Sequence, residues 1–127
     1  MVIILKIYFN GGKNIFFPDL SGKIVVITGA NTGIGFIAAQ EMAKLNPTKI
    51  IFACRSEERG MEAIAKIRGA NPSKDSGETN MEFMKLDLND LVSVQAFATA
   101  FNAKYERLDI LLNNAGIMML PERGTTA

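Results

Sequence analysis

A glycine-rich segment that directly follows a β-branched run constrains this chain more than any other feature. The run Ile24–Ile27 leads into Thr28–Gly35, whose sequence is Thr-Gly-Ala-Asn-Thr-Gly-Ile-Gly, and a helix-like apolar pattern follows. A strand, a glycine turn and a helix in this order leave free N–H groups and the positive end of the helix dipole at the turn. This arrangement is typical of a turn that binds the pyrophosphate of a dinucleotide.

Each of the three glycines in this segment has a separate expected role. Gly29 permits the tight turn out of the strand, Gly33 lets backbone N–H groups reach the phosphates, and Gly35 lets the helix pack closely on the sheet. The alternative is a helix-entry turn that binds no ligand, and the flanking strand and helix argue against it. A P-loop fits poorly, because no Lys-Ser/Thr pair follows the last glycine.

Apolar periodicity along the chain predicts alternating strands and helices in the order β-α-β-α-β-α-β. The predicted strands are 23–28, 49–54, 81–86 and 108–112, and the predicted helices are 33–45, one capped by Ser56 and one capped by Asn89 or Asp90. Single helices between strands imply a parallel sheet with right-handed crossovers. The expected fold class is α/β, a Rossmann-type doubly wound parallel sheet that is incomplete, with strand order 3-2-1-4.

The same periodicity assigns an inward-facing stripe to each helix. The residues expected on these stripes are Ile34, Ile37, Ala38, Met42 and Leu45 in the first helix, Met61, Ile64, Ala65 and Ile67 in the second, and Leu91, Val94, Phe97, Ala98 and Phe101 in the third. The polar stretch 69–80 is expected to be a surface loop.

The length of 127 residues indicates one domain, preceded by a short apolar segment. Residues 1–21 are expected to form a leader and loop, and residues 22–127 a nucleotide-binding half-domain. Met1–Phe9 carries only one charge, on Lys6, and is far shorter than the roughly 20 residues that span a bilayer. An edge strand or a disordered leader is expected there, and contact with a membrane surface is the alternative.

Composition excludes several classes of function. The chain has no histidine and a single cysteine, Cys54, so neither an internal disulfide nor a Cys/His metal site is expected. One unpaired cysteine suits a reducing compartment such as the cytoplasm. The net charge of +1 gives no argument for a nucleic-acid partner.

Polar or small residues follow each of the other three predicted strands. Arg55 comes after the second strand, where an arginine suits the 2′-phosphate of NADP and an Asp or Glu would suit NAD. Asp87 comes after the third strand and can accept a hydrogen bond from an adenine amino group, although a cap or turn is its alternative role. Asn113–Gly116 follows the fourth strand, with amides that can bridge neighbouring strands and small residues that leave room for ribose and nicotinamide.

These features together define the predicted site for NADP(H), with NAD as the less favoured coenzyme. The predicted coenzyme-binding residues are Gly29, Asn31, Thr32, Gly33, Ile34, Gly35, Arg55, Asp87, Leu88, Asn113, Asn114, Ala115 and Gly116. No catalytic residue and no metal ligand is assigned.

Thr28–Gly35, Arg55, Asp87 and Asn113–Gly116 together resemble the amino-terminal coenzyme half of short-chain dehydrogenases/reductases. Two segments are similar to those of the retinol-dehydrogenase-like and WW-domain-oxidoreductase-like branch of this family. They are Ala-Cys-Arg-Ser at 53–56 and Asn-Asn-Ala-Gly-Ile-Met-Met at 113–119. The resemblance implies hydride transfer between NADP(H) and an alcohol or carbonyl substrate. It also implies a lipophilic, retinol- or steroid-like substrate and frequent membrane association.

The catalytic residues that the resemblance implies are missing from this sequence. The family uses a Ser and a Tyr-x-x-x-Lys pair, whereas Tyr105 is followed four residues later by Asp109. The expected protein is therefore the nucleotide-binding part of an oxidoreductase, and the alternative is a non-catalytic dinucleotide-binding or dimerisation module. An unpaired fourth strand predicts self-association through the sheet edge.

Overall fold

Four parallel strands alternate with three helices in the computed structural model, which describes residues 19–70 and 80–117. The elements are β1 (Ile24–Thr28), α1 (Gly33–Ala43), β2 (Lys49–Cys54), α2 (Glu57–Ala70), β3 (Met81–Lys85), α3 (Leu91–Lys104) and β4 (Ile110–Leu112). The sheet order is β3-β2-β1-β4, which confirms the predicted fold class and strand order. The predictions for Met1–Phe9 and for most of the 69–80 loop lie outside the described residues.

The central position of β1 determines where a ligand can bind. Val26 of β1 is in register with Ile51 of β2 on one side and with Leu111 of β4 on the other. All pairings are parallel, so the carboxyl ends of all four strands meet at one edge of the sheet. Because chain connections diverge on either side of β1, a crevice opens beyond that edge.

The core has two apolar layers, one on each face of the sheet. On one face, side chains such as Ile27 and Phe52 pack with α1 and α2, and on the other Val26 and Ile51 pack with Phe101 of α3. The strands β1 and β2 are buried along almost their whole length. Continuous burial of β-branched residues is typical of a parallel sheet that helices cover on both faces.

Helix α1 approaches the sheet through small residues, which differs from the predicted stripe. Ala38 and Met42 are buried as expected, but Ile34 is 72% exposed and Ile37 also lies at the surface. The buried face is Gly35, Ala38, Ala39, Met42 and Ala43. Large side chains would hold the helix away from the sheet, so the bulky isoleucines lie on the outer side.

The other two helices show the same kind of difference. In α2, Met61 and Ala65 are exposed, whereas Ile64 and Ile67 are buried as predicted and Gly60 and Ala63 complete the face. A Cβ at Gly60 would lie 2.5 Å from the ring of Phe83, so the missing side chain sets the approach of α2 to β3.

In α3, Phe101 is buried, Val94 and Phe97 are partly buried, and Leu91 and Ala98 are exposed. Helix α3 therefore packs mainly through its last turns.

A carboxylate at the start of β4 explains why that strand is shorter than predicted. The strand begins at Ile110 and not at Leu108. The side chain of Asp109 accepts a hydrogen bond from the N–H of Ile24 at 2.9 Å, and the Asp109 N–H donates to the Ile24 carbonyl at 3.0 Å. A side chain thus replaces one backbone acceptor where the β1–β4 ladder begins.

Stability should fall in acid because of Asp109. The hydrogen bond from the Ile24 N–H, with one from Arg107, lowers the pKa of this carboxyl despite its partial burial. A lowered folded-state pKa stabilises the fold above the ordinary value of about 3.9, and the stabilisation is lost as the pH falls through the folded-state pKa.

The Asp109→Asn variant should therefore melt at a lower temperature than the unmodified chain at pH 7. Thermal melts between pH 7 and pH 3 should show the difference narrowing toward acid. A difference that stays constant over this pH range would mean that the charge of Asp109 contributes nothing.

The outer edge of β4 has no strand partner among the described residues. Leu111 is 45% exposed there, and a groove of about 310 Å³ runs between β4 and the Phe97–Phe101 side of α3. Self-association through this edge stays a prediction. Within 19–70 and 80–117, no helix is long and apolar enough to cross a membrane.

Candidate functional site

A cavity of about 510 Å³ lies at the carboxyl edge of the sheet. Residues from the segments after all four strands line it: Gly29, Asn31, Thr32, Ala53, Cys54, Arg55, Arg59, Leu86, Asp87, Leu88, Asn89, Asn114, Ala115, Gly116 and Ile117. Most of the predicted coenzyme-binding residues are in this set. Gly33, Ile34, Gly35 and Asn113 are not, although the three that belong to α1 adjoin the lining turn.

The turn after β1 needs glycine at two positions because of backbone conformation. Gly29 has φ +65° and Gly33 has φ +58°. Residues that carry a Cβ rarely adopt this region of backbone conformation. At Gly29 the space is also restricted, since a Cβ would lie 3.1 Å from the Cα of Ala115. At Gly33 no atom lies within 4 Å of a built Cβ, so open space adjoins the amino end of α1.

Gly35 lies on the buried face of α1, at a close contact where the helix begins. A Cβ there would lie 2.5 Å from the carbonyl oxygen of Gly29 and would overlap the side-chain amide of Asn114. The absent side chain therefore lets α1 begin against its own entry turn and against the segment after β4. Three segments of the crevice wall meet at this point.

The hydroxyl of Thr28 joins the end of β1 to the segment after β4. It accepts hydrogen bonds from the backbone N–H groups of Asn114 (3.0 Å) and Ala115 (2.9 Å), and it donates to the Leu112 carbonyl at 3.4 Å. Thr28 itself is buried, with 6% of the residue exposed. Its partners lie more than 80 residues away along the chain, so no local sequence pattern marks this role.

Asn114 performs the bridging that was expected of the two amides, and Asn113 does not. The Asn114 side-chain amide donates to the carbonyls of Thr28 at 3.0 Å and Gly29 at 3.3 Å. Asn113 is exposed.

Arg55 lies at the rim of the cavity, directly after β2, and is exposed. Over 19–70 and 80–117, no carboxylate lies within 4 Å of its guanidinium. Helix α2 starts two residues later, where the Ser56 hydroxyl accepts a hydrogen bond from the Arg59 N–H at 3.3 Å as its predicted cap role requires. The side chains of Arg55 and Arg59 both line the cavity.

Asp87, which follows β3, also lines the cavity and shapes its own turn. Its carboxylate accepts from the Asn89 N–H at 3.0 Å, and its N–H donates to the Ser93 hydroxyl at 2.9 Å. The alternative role as a turn former is therefore present in the structure. Contact with an adenine stays a prediction, since one carboxylate can accept several hydrogen bonds.

Cys54 is buried beneath the glycine turn. Burial raises the pKa of its thiol, although the nearby N–H groups of Ala30, Asn31 and Gly29 oppose that effect. The thiol therefore stays protonated at neutral pH, and we expect it to be unreactive. The described residues contain no group of three or more His, Cys, Asp or Glu that could hold a metal ion.

Tyr105 belongs to a cluster on the far side of the sheet from the cavity. Its hydroxyl donates to Glu82 at 2.7 Å, and Lys104 also pairs with that carboxylate. Burial, together with the hydrogen bond to Glu82, raises the pKa of Tyr105 well above its ordinary value. A phenol held protonated away from the cavity cannot act as acid or base on a substrate there.

Comparison with known proteins places the chain in a family. Residues 23–126 match the short chain dehydrogenase family. The chain belongs to this family. It is 41% identical over 122 residues to retinol dehydrogenase 12 of Mus musculus, covering 96% of this chain and 37% of that protein. It is 48% identical over 99 residues to dehydrogenase/reductase SDR family member 13 of Homo sapiens, covering 78% of this chain and 25% of that protein.

Solved structures show the same relationship. A metagenomic short-chain oxidoreductase in complex with NADP has a TM-score of 0.66 at 31% identity, covering 78% of this chain and 41% of that one. A short chain dehydrogenase/reductase from Burkholderia phymatum in complex with NAD has a TM-score of 0.62 at 28% identity, covering 78% and 32%. The chain thus spans well under half the length of these relatives, and its similarity is to their amino-terminal region.

The crevice fits a nicotinamide dinucleotide on physical grounds. Its volume of about 510 Å³ lies within the range of roughly 300–1,000 Å³ that small-molecule sites occupy. Gly29 and Gly35 have no Cβ, so the turn stays tight at the amino end of α1. The free N–H groups of a helix start favour an anion there. Arg55 supplies a cation at the rim, and Ala115 and Gly116 leave the wall after β4 uncrowded.

Proposed function

We propose that residues 22–127 form the NADP(H)-binding half-domain of a short-chain oxidoreductase. The observation that carries this proposal is the unpaired Arg55 guanidinium at the rim of a crevice that begins with a glycine turn. The reaction of the whole protein would be hydride transfer to or from an alcohol or carbonyl group. The names of two relatives, retinol dehydrogenase 12 and polyprenol dehydrogenase, support a lipophilic substrate, which we propose to be retinol- or steroid-like.

Different residues of the crevice would contact different parts of the coenzyme. The turn Gly29–Gly35 would hold the pyrophosphate, Arg55 the 2′-phosphate, and Asp87 with Leu88 the adenine. Asn114, Ala115 and Gly116 would border the ribose and nicotinamide. The nicotinamide supplies or accepts the hydride when it is bound, and the chain's own residues orient it.

Preference for NADP over NAD rests on Arg55 and not on family membership. Solved relatives bind either coenzyme, as the complexes with NADP and with NAD show for those proteins. An exposed arginine after β2 gives a 2′-phosphate a charge-assisted, bidentate partner. An arginine interacts less favourably with the 2′-hydroxyl of NAD, because that hydroxyl prefers to donate to a carboxylate.

A non-catalytic nucleotide-binding or dimerisation module is the second candidate. It is favoured by Tyr105, whose hydroxyl is bound to Glu82 and does not line the cavity. This candidate predicts coenzyme binding without turnover. A cytoplasmic location at a membrane surface is also part of our proposal, because of the single unpaired cysteine and the apolar Met1–Phe9.

Reversing the charge at Arg55 tests the proposed coenzyme. Arg55→Asp should weaken NADPH binding at least about 30-fold, since a charge-assisted pair worth about 2 kcal/mol is lost and a repulsion is added. NADH binding should stay within about threefold or improve, because an Asp can accept from the ribose hydroxyls. Nicotinamide fluorescence titration gives both dissociation constants.

The matched control is Arg68→Asp, a reversal in the last turn of α2. Arg68 does not line the cavity, so this variant should leave the ratio of NADPH to NADH affinity unchanged. If both charge reversals weaken NADPH binding equally, Arg55 acts only through the net charge of the protein and not through a contact with the 2′-phosphate. An Arg55→Asp variant that keeps its NADPH preference would overturn the proposal for this residue.

A further inference from the structure

We propose, on the basis of the proposed NADP(H) site, that Ser93 is a positioning residue for the adenine of the coenzyme and acts through Asp87. Ser93 does not line the cavity itself, whereas Asp87 does. The Ser93 hydroxyl accepts a hydrogen bond from the backbone N–H of Asp87 at 2.9 Å. This bond joins the segment after β3 to the first turn of α3.

An ordinary capping role does not account for the Ser93 hydroxyl. Ser93 is the third residue of α3 and follows the N-cap residue Asp90 by three positions, a spacing from which a polar side chain can reach the N-cap N–H. The Asp90 N–H instead donates to the carbonyl of Asp87 at 3.2 Å. The helix start is capped by the Asp90 carboxylate, which accepts from the Val92 N–H at 2.9 Å. The Ser93 hydroxyl therefore serves Asp87 and not the helix start.

Asp87 is held at three of its polar atoms, and one carboxylate oxygen has no partner. Its N–H donates to Ser93, its carbonyl accepts from the Asp90 N–H, and its Oδ1 accepts from the Asn89 N–H at 3.0 Å. Over residues 19–70 and 80–117, Oδ2 accepts no hydrogen bond and pairs with no cation. Since Asp87 lines the cavity, we expect Oδ2 to accept a hydrogen bond from a ligand there.

A free carboxylate oxygen distinguishes purines by the group at carbon 6. The amino group of adenine is a hydrogen-bond donor, whereas an oxo group at the same position is an acceptor that a carboxylate repels. This selection depends on where Oδ2 lies, because a hydrogen bond weakens steeply when its angle departs from the optimum. The bond to Ser93 anchors the backbone from which the Asp87 carboxylate extends, so it keeps Oδ2 in place before the coenzyme binds.

Titrations of the 127-residue chain with NADPH and with its analogue that carries hypoxanthine in place of adenine test the proposal. The unmodified chain should bind NADPH about tenfold more tightly than the analogue, from one hydrogen bond to a charged group. Ser93→Ala removes the acceptor of the Asp87 N–H and should reduce this preference to about twofold or less. Ser93→Thr keeps the hydroxyl and should restore the preference. Competition by 5′-AMP and 5′-IMP should repeat the pattern without any nicotinamide.

The control is Thr99→Ala, which removes a hydroxyl from an exposed position of the same helix and should leave the base preference unchanged. Thermal melts separate positioning from folding, because a loss of folded protein weakens the binding of both coenzymes by the same factor. A Ser93→Ala variant that keeps the full preference for adenine would overturn the role of Ser93.

Two further outcomes distinguish this role from the proposed function. If the unmodified chain binds NADPH without preferring adenine, Asp87 does not select the base, and the role of Ser93 fails while the NADP(H) site remains. If a chain that melts cooperatively binds neither coenzyme, the proposed function fails, and the role of Ser93 fails with it.

Discussion

Replacing Gly35 with alanine is expected to destroy coenzyme binding and to destabilise the fold by about 3 kcal/mol or more. The added Cβ would lie 2.5 Å from the Gly29 carbonyl oxygen and against the Asn114 amide. Neither neighbour is the free end of a flexible side chain, because Gly29 is backbone and the Asn114 amide is held by two carbonyls. Relief of the overlap therefore requires the turn, the helix start or the segment after β4 to move.

The expected readouts are a large fall in the melting temperature and no measurable binding of NADPH. A stability loss of this size is a substantial fraction of the 5–15 kcal/mol typical of a domain. Gly69→Ala is the matched control, because Gly69 lies in α2 with no atom within 4 Å of a built Cβ. That variant should be neutral or slightly stabilising. A Gly35→Ala variant with the melting temperature of Gly69→Ala would show that the crevice wall is not packed as described.

Replacing Thr28 with valine preserves the shape of the side chain. The change is expected to weaken the attachment of the segment after β4 to the end of β1. The Ala115 N–H would lose its acceptor, and the Asn114 N–H would keep only its second one, the Leu112 carbonyl at 3.0 Å. The two hydrogen bonds that the hydroxyl accepts contribute about 2 kcal/mol together, which valine loses. Since Asn114, Ala115 and Gly116 border the cavity, NADPH affinity should fall together with the free energy of unfolding.

Thr28→Ser separates the hydroxyl from the methyl group in this experiment. Serine keeps the acceptor for the two N–H groups and loses one methyl, for a cost of about 1 kcal/mol. Chemical denaturation should therefore rank the unmodified chain above Thr28→Ser and Thr28→Ser above Thr28→Val. If valine proves as stable as serine, the hydroxyl does not fasten β4 to β1.

Much of the fold could be predicted because local patterns in the chain agree with one another. The β-branched runs before Thr28 and Cys54 identify the two central strands, and single helices between strands require parallel pairing. The order β3-β2-β1-β4 then follows. The carboxyl ends of the strands, and with them Gly29, Arg55, Asp87 and Asn114, converge on one cavity for the same reason.

The helix faces could not be predicted from apolar periodicity alone. Counting large apolar residues placed Ile34 and Met61 inside, whereas the tight contacts are made by small residues such as Gly35 and Gly60. Apolar periodicity indicates which residues can be buried. It does not indicate how closely a helix must approach the sheet. Glycine at a contact is invisible to a hydrophobicity count, although it controls the distance.

The site residues that were missed depend on contacts between distant parts of the chain. The role of Thr28 arises only when the segment after β4 lies beside β1, and Asp109 replaces a backbone acceptor for the same reason. No local pattern marks either role.

The central claim is that the crevice binds NADP(H) in preference to NAD(H), and parallel titrations of the 127-residue chain with NADPH and NADH test it most directly. Nicotinamide fluorescence at moderate ionic strength gives both dissociation constants. The account predicts saturable binding of NADPH that is at least about 30-fold tighter than that of NADH, from the charge-assisted pair at Arg55. Equal affinity for the two coenzymes, or binding of neither by a chain that melts cooperatively, would contradict it.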